Sequence, residues 1–146
     1  MMEHIKILKI ETESELTYSK VNISHFIHHQ LGKYHDSLSA IKKAINYALH
    51  RQDGSFLYLA TLSSKLVGVL VNYCFENQNE IIYLAVIKEH RKQGIGRMLL
   101  QQILKSRYVH LHVHIDNPAK KFYQKMGFVE HSERFFYSYM VFHNMQ

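Results

Sequence analysis

Two stretches of this chain combine residue types and spacing that could do chemistry. The first, Arg91-Lys92-Gln93-Gly94-Ile95-Gly96-Arg97, is a glycine-containing turn ahead of an amphipathic segment. Helix-initial amides have no intrahelical partner, and their partial positive charge points back into such a turn, where phosphate oxygens would satisfy them. Gly94 and Gly96 suit an anion cradle, because a missing Cβ lets backbone approach a ligand and permits positive φ. In the second stretch, Tyr108 to Ile115, His110, His112 and His114 alternate with Leu111, Val113 and Ile115. On a strand the three imidazoles share one face. They could move protons near neutrality or converge on a metal ion. Apart from Asp116, no Cys or carboxylate stands near them in sequence, and twelve histidines in all make chance alternation plausible, so no metal is expected.

The elements that must position these groups follow from periodicity. Ile81 to Val86 is an apolar, branched and aromatic run of strand length. Ile95, Leu99, Leu100, Ile103 and Leu104 recur at helical spacing, so a helix begins inside the glycine motif. Upstream, His4 to Ile10 predicts a first strand. Thr12 and Glu15 have capping-box form ahead of Leu16, Ile23, Phe26, Ile27 and Leu31, which predicts a helix stopped by Gly32. After a short link, Asp36 or Ser37 caps a second helix with Leu38, Ile41, Ala44, Ile45, Ala48 and Leu49 inward. Phe56–Leu62 and Leu66–Phe75 form a hairpin across residues 63–65, and residues 76–79 make another turn. Past the histidine strand, Asn117 caps a helix, Pro118 takes its first position and Gly127 ends it. Phe128–Glu130 and Phe135–Val141 close the sheet.

Spacing separates the phosphate loops that could own the glycine motif. A P-loop needs G-x-x-x-x-G-K-[ST], which is absent. A dinucleotide fingerprint needs a third glycine where Leu99 stands, and it follows its strand directly, whereas seven residues separate Val86 from Gly94. Asp116, twenty residues after Gly96, mimics the ribose acid by coincidence. The match that remains is R/Q-x-x-G-x-G/A after a strand ending L-x-V, and a second block, Asn117 to Phe128, is similar to N-x-x-A-x-x-[FL]-Y-x-x-x-G-F. In order and distance the pair resembles the GNAT superfamily of N-acetyltransferases over residues 80 to 128, the catalytic half of such a domain.

That resemblance implies one α/β domain over residues 1–146, with a central mixed, mostly antiparallel sheet of six to seven strands flanked by four helices. It implies that acetyl-CoA, as co-substrate, is held by Arg91, Lys92, Gln93, Gly94, Ile95, Gly96 and Arg97 at the pyrophosphate. Leu84, Ala85 and Val86 would lie beside the pantetheine and thioester, with Asn117, Phe122 and Tyr123 from the later block. Asn117 stands one residue closer to Tyr123 than the family's usual spacing, so Asn117 or Asp116 fills the asparagine position. Transfer to an amine needs a base, because an alkylammonium with a pKa of about 10 has no lone pair. It also needs a donor for the carbonyl oxygen and a proton for the departing thiolate. Tyr123 stands where the family keeps its acid, although the stripe Ala119, Phe122, Tyr123 and Met126 equally fits a core tyrosine. The base is His112, Glu80 or a water chain. Tyr34 and His35 fall in the link that covers the acceptor in this family, and His25, His28 and His29 are solvated or line the acceptor site.

Composition bounds the alternatives. At 146 residues the chain can bury about 70% of its unfolded surface without a disulfide. Its single cysteine, Cys74, suits a reducing cytoplasm and a buried core role. The N-terminal residues Met1 to Lys6 hold no apolar run of signal or membrane-spanning length, which points away from a membrane. Net charge is +6, and residues 88 to 125 hold nine Lys and Arg against Glu89 and Asp116, leaving −1 for everything else. A basic excess around the cradle suits a polyanionic cofactor. The expected partners are acetyl-CoA and an amine-bearing acceptor, a small molecule or a peptide. A homodimer is left open, and no nucleic acid is expected, since no helix-turn-helix or RNA-binding signature is present. Two other classes stay in view: a non-catalytic acyl-CoA sensor and a basic nucleic-acid-binding module.

Overall fold

A computed structural model of the protein describes residues 4–34, 36–50, 54–105 and 108–143. His35 and the first three residues of the N-terminal stretch lie outside the described residues. Seven strands form one sheet: β1 (Ile5–Ile10), β2 (Phe56–Leu62), β3 (Lys65–Phe75), β4 (Gln78–Val86), β5 (Tyr108–His114), β6 (Val129–Arg134) and β7 (Tyr137–His143), in the order β1-β2-β3-β4-β5-β7-β6. All neighbours are antiparallel except β4 and β5. That exception follows from the connection, because a parallel pair requires a crossover, supplied here by a helix. The helices are α1 (Lys20–Leu31), α2 (Leu38–His50), α3 (Ile95–Ile103) and α4 (Ala119–Lys125).

Two cores lie on opposite faces of the sheet, while β6 is exposed along its length. Against α1 and α2, Ile23, Ile27, Ile41 and Ile45 pack on Leu57, Leu59, Val69, Tyr83 and Ala85. Against α3 and α4, Leu99, Leu100, Ile103 and Tyr123 pack on Ala60, Leu70, Ile81, Val109, Leu111 and Val113. Each fully buried isoleucine or leucine contributes about 1.5–3 kcal/mol. Gly68 on β3 sets how closely α3 approaches. A Cβ there would stand 2.9 Å from Leu99 Cδ1 and 3.0 Å from Ile95 Cγ2, so only glycine lets the first turn of α3 sit this low.

Several boundaries differ from those the pattern predicts. The capping box of Thr12 and Glu15 closes only a 3-10 turn, Glu13–Glu15, with Glu15 Oε1 accepting the Thr12 amide at 3.0 Å. Leu16 is then extended, Tyr18 donates its hydroxyl to the Ser64 carbonyl, and α1 starts afresh at Ser19, whose Oγ accepts the Asn22 amide. A tertiary contact therefore interrupts the predicted helix. Ser37, rather than Asp36, caps α2 by accepting the Ala40 amide, while Asp36 accepts the Tyr83 hydroxyl at 2.6 Å. The second hairpin turns on Glu76 and Asn77 alone, so β4 begins at Gln78. Phe135 and Phe136, expected in the last strand, form a two-residue turn. Cys74 is half-buried rather than in the core, because the end of β3 runs past its cover. No helix among the described residues is long and apolar enough to cross a membrane.

Candidate functional site

The site begins with a break in the sheet. β4 and β5 pair only from Asn79 opposite Val109 to Ile81 opposite Leu111. At that point β4 carries an extra residue: Asn72 faces Ile81 and Val71 faces Tyr83, leaving Ile82 as a bulge. Bulges turn a strand and re-aim its side chains. Ile81 accordingly packs toward α3, whereas Tyr83 and Ala85 pack toward α1 and α2. Beyond the bulge the two strands diverge, and the β5-facing backbone edge of residues 82–86 lines a cleft of about 940 Å³. Leu84, Ala85 and Val86 lie on its wall.

The glycine turn before α3 forms one end. Gly94 is the N-cap of α3 with φ +87, and no side chain caps the helix. A Cβ on Gly94 would meet no atom beyond its chain neighbours within 4 Å, so the space on that side of the turn is open. Lys92 is also left-handed, with φ +67. Gly96 differs from the expectation. It is helical, and its missing Cβ makes room for Phe122, whose Cζ would lie 3.4 Å away. Arg91, Lys92, Gly94, Ile95, Gly96 and Arg97 line the cleft, while Gln93 does not and holds its Oε1 3.0 Å from His90 Nδ1. The Arg91 guanidinium, on an exposed residue, donates to the Gln30 carbonyl at 2.6 Å and the Val86 carbonyl at 3.1 Å. It ties the end of β4 to the end of α1.

Tyr123, on α4, is among the residues that line the cleft. Its ring is 7% exposed, between Phe122 and Phe128 at 5.5 and 5.6 Å. Burial pushes its phenol well above the ordinary value of 10.0, so it stays protonated across the neutral range. Asn117 also lines the cleft, with Oδ1 accepting the Ala119 amide at 2.9 Å, and Pro118 rather than Asn117 is the N-cap of α4. Asp116 does not line it. Its amide donates to His114 Nδ1 at 3.1 Å and its carbonyl accepts the Tyr34 hydroxyl at 2.9 Å, bridging the α1–α2 link to the β5–α4 turn. Of the two candidates for the asparagine position, Asn117 faces the cleft.

At the other end Glu80 and His112 stand together, Oε2 to Nδ1 3.8 Å, both partly exposed. The sequence presents them as rivals, and the parallel pairing of Glu80 with His110 makes them neighbours. His110 lies deeper, flanked by Tyr108 and Tyr139, with a buried Nδ1 that finds no partner among the described residues. Burial pulls its pKa down, against an upward pull from Glu80. Tyr139, against both His110 and His112, is pushed up to about 12 by burial and a hydrogen bond with Tyr108. His114 turns to the mouth, where Tyr34, Phe136 and Tyr137 surround it. The three imidazoles therefore serve three surroundings. Among the described residues no group of three or more His, Cys, Asp or Glu could hold a metal ion. His25, His28 and His29 are not among the lining residues.

A family model for the acetyltransferase (GNAT) domain matches residues 15–146. The chain belongs to the GNAT family of acetyltransferases. No curated protein matches it in sequence. Among solved structures it is similar to the ribosomal-protein-S18-alanine N-acetyltransferase from Escherichia coli, with 16% identity over 96% of this chain and 94% of that one, TM-score 0.75. It is similar to the PaiA N-acetyltransferase from Thermoplasma acidophilum in complex with coenzyme A, 18% identical over 97% and 99%, TM-score 0.77. The NatC complex bound to Gag peptide and CoA contains a similar chain, 18% identical over 96% and 99%, TM-score 0.68. At such identities the likeness is one of fold.

Proposed function

We propose that this chain transfers the acetyl group of acetyl-CoA to a primary amine, directly and within a ternary complex. The observation that carries the reading is the continuity of the cleft, which runs from the uncapped α3 N-terminus along the unpaired β4 edge to Glu80 and His112. The open space at Gly94 and the cationic Lys92 and Arg97 beside it fit a pyrophosphate. The co-substrate supplies an activated acyl group, and the CoA-bound PaiA and NatC structures support CoA as its carrier.

Each residue then has a proton or a dipole to manage. Glu80 and His112 take the ammonium proton and release it to solvent, which frees the nitrogen lone pair to form the new N–C bond. A backbone N–H on the edge between Leu84 and Val86 donates to the carbonyl oxygen as negative charge gathers there. Tyr123, held protonated by burial, donates to the sulfur as the C–S bond breaks. Its proton is replaced by the second proton that the nitrogen gives up on becoming an amide. The balance is ammonium plus thioester to amide, thiol and one proton.

Initial rates with acetyl-CoA and amine both varied test the reading. Intersecting double-reciprocal lines are expected for a ternary complex, whereas parallel lines would indicate an acyl-enzyme and contradict direct transfer.

A further inference from the structure

Three hairpins in this fold close on two-residue turns in which both residues are left-handed: Ser63 and Ser64 (φ 49 and 65), Glu76 and Asn77 (φ 50 and 64), and Phe135 and Phe136 (φ 51 and 67). This geometry favours Asn, Asp and Gly and penalises bulky side chains. The first two turns use short or polar residues. The third places two phenylalanines in the disfavoured region and leaves them 78% and 70% exposed. Backbone strain and exposed apolar area thus coincide at one tip, where residues that break local rules are usually held for function.

The tip continues the wall of the acceptor end. Tyr137 lines the cleft and is itself exposed, Phe136 lies nearly parallel to His114 at 6.5 Å, and the Ile115 amide donates to the Phe136 carbonyl at 2.9 Å. The base of the hairpin is pinned to α4, since Glu130 takes Lys120 Nζ and Ser138 Oγ, each at 2.6 Å. Tyr137, Phe136 and Phe135 therefore form a fixed aromatic path leading from the mouth into solvent. An acceptor that ends inside the mouth leaves both phenylalanine rings in water. Only one that extends past it covers them. Around the path the charges are mixed, with Lys33 and Arg134 against Asp116 and Glu133. An apolar centre with a rim of both signs is the anatomy of a polypeptide interface, whereas an anionic membrane surface calls for uniform positive charge.

We infer that the acceptor amine is carried on a polypeptide whose residues next to the amine are apolar, and that Phe135 and Phe136 are the docking surface selecting it. The inference rests on the acetyl-transfer reading and deepens it.

The test uses the full chain and the double variant F135N/F136G, which installs the favoured residues of this turn and so should fold with an unchanged or higher thermal midpoint. Six-residue peptides, with either a free α-amine or a lysine amine followed by Leu and Phe, or by Ser and Gly, are titrated calorimetrically into CoA-loaded protein and assayed for turnover with acetyl-CoA. The wild type should bind and acetylate the apolar peptides about tenfold or more better than the polar ones, the worth of one buried aromatic ring. The variant should lose that preference while keeping its acetyl-CoA response and its rate with ethylamine. Equal preference in both proteins overturns the inference. So does a preference that survives in the variant while binding to phosphatidylserine vesicles, or self-association in sedimentation, is lost, because the tip would then serve a membrane or a second copy. Tip-dependent peptide binding without turnover would support the docking surface and defeat acetyl transfer instead.

Discussion

Gly94→Ala separates the backbone's conformational role from its ligand role. With φ +87 and no protein atom within 4 Å of the new methyl, the substitution makes no clash within the fold. Its cost is the left-handed conformation alone, about 1–2 kcal/mol. For a domain of this size that lowers the thermal midpoint by roughly 2–8 °C. Acetyl-CoA at a hundredfold over its Kd stabilises the wild type by about 2.7 kcal/mol, a further rise of roughly 5–11 °C. A phosphate held close against the Gly94 backbone would meet the new methyl, and a tenfold weaker Kd would cut that stabilisation to about 1.4 kcal/mol and halve the rise. Gly54→Ala is the control: it has a comparable left-handed φ of +95, its methyl would sit in ordinary contact with Cys74 Sγ at 3.4 Å, it does not line the cleft, and it should lower the midpoint while keeping the full ligand response. Differential scanning fluorimetry across a ligand series reads both quantities. A full ligand-induced rise in Gly94→Ala would refute the cradle, whatever happens to the unliganded midpoint.

The remaining expectations concern protons. Tyr123→Phe keeps the ring between Phe122 and Phe128 and should leave stability within about 1 kcal/mol, while turnover falls 10²–10⁴-fold, or about 3–5 kcal/mol of barrier. Turnover within a few fold of wild type would make Tyr123 a core residue only. Because Glu80 and His112 lie 3.8 Å apart, Glu80→Gln and His112→Gln should each lower kcat/KM for a small primary amine while leaving the acetyl-CoA response intact, and the larger loss identifies the base; wild-type kcat/KM in both variants would contradict the pair's role. His110 has a folded pKa below its ordinary 6.5, so the unfolded chain binds the proton first as pH falls. Its contribution is intact above pH 6.5 and is lost between 6.5 and the lowered value, with Glu80 opposing the loss and His112 adding to it. Urea denaturation at pH 7 and pH 5 should therefore show a smaller acid loss in His110→Gln than in the wild type, and an identical loss would contradict it.

What the sequence makes legible is local. The cradle, the start of α3 at Ile95 and the block ending at Gly127 are contiguous in sequence, so glycine placement and helical spacing report them directly. The bulge at Ile82 is hidden because residues 81–86 are apolar throughout. A strand with both faces buried gives no alternation in which an extra residue would register. Glu80 and His112 are 32 positions apart and meet only through a parallel pairing, which local periodicity cannot set. Arg91 carries a motif position in its backbone and a structural clamp in its side chain, and nothing near Gln30 announces the partner. Phe135 and Phe136 have the composition of a strand, yet the register of β6 and β7 puts them at the turn.

The most direct measurement of the central claim couples thiol release to product mass, with wild-type protein, acetyl-CoA and a panel of primary amines including lysine and α-amine peptides. Amine-dependent release of CoA thiol is expected, matched one to one by an acceptor heavier by one acetyl group, with a loss of both in Tyr123→Phe. Protein that binds CoA yet releases no thiol with any amine in the panel, or that releases thiol without an acetylated product, would contradict it.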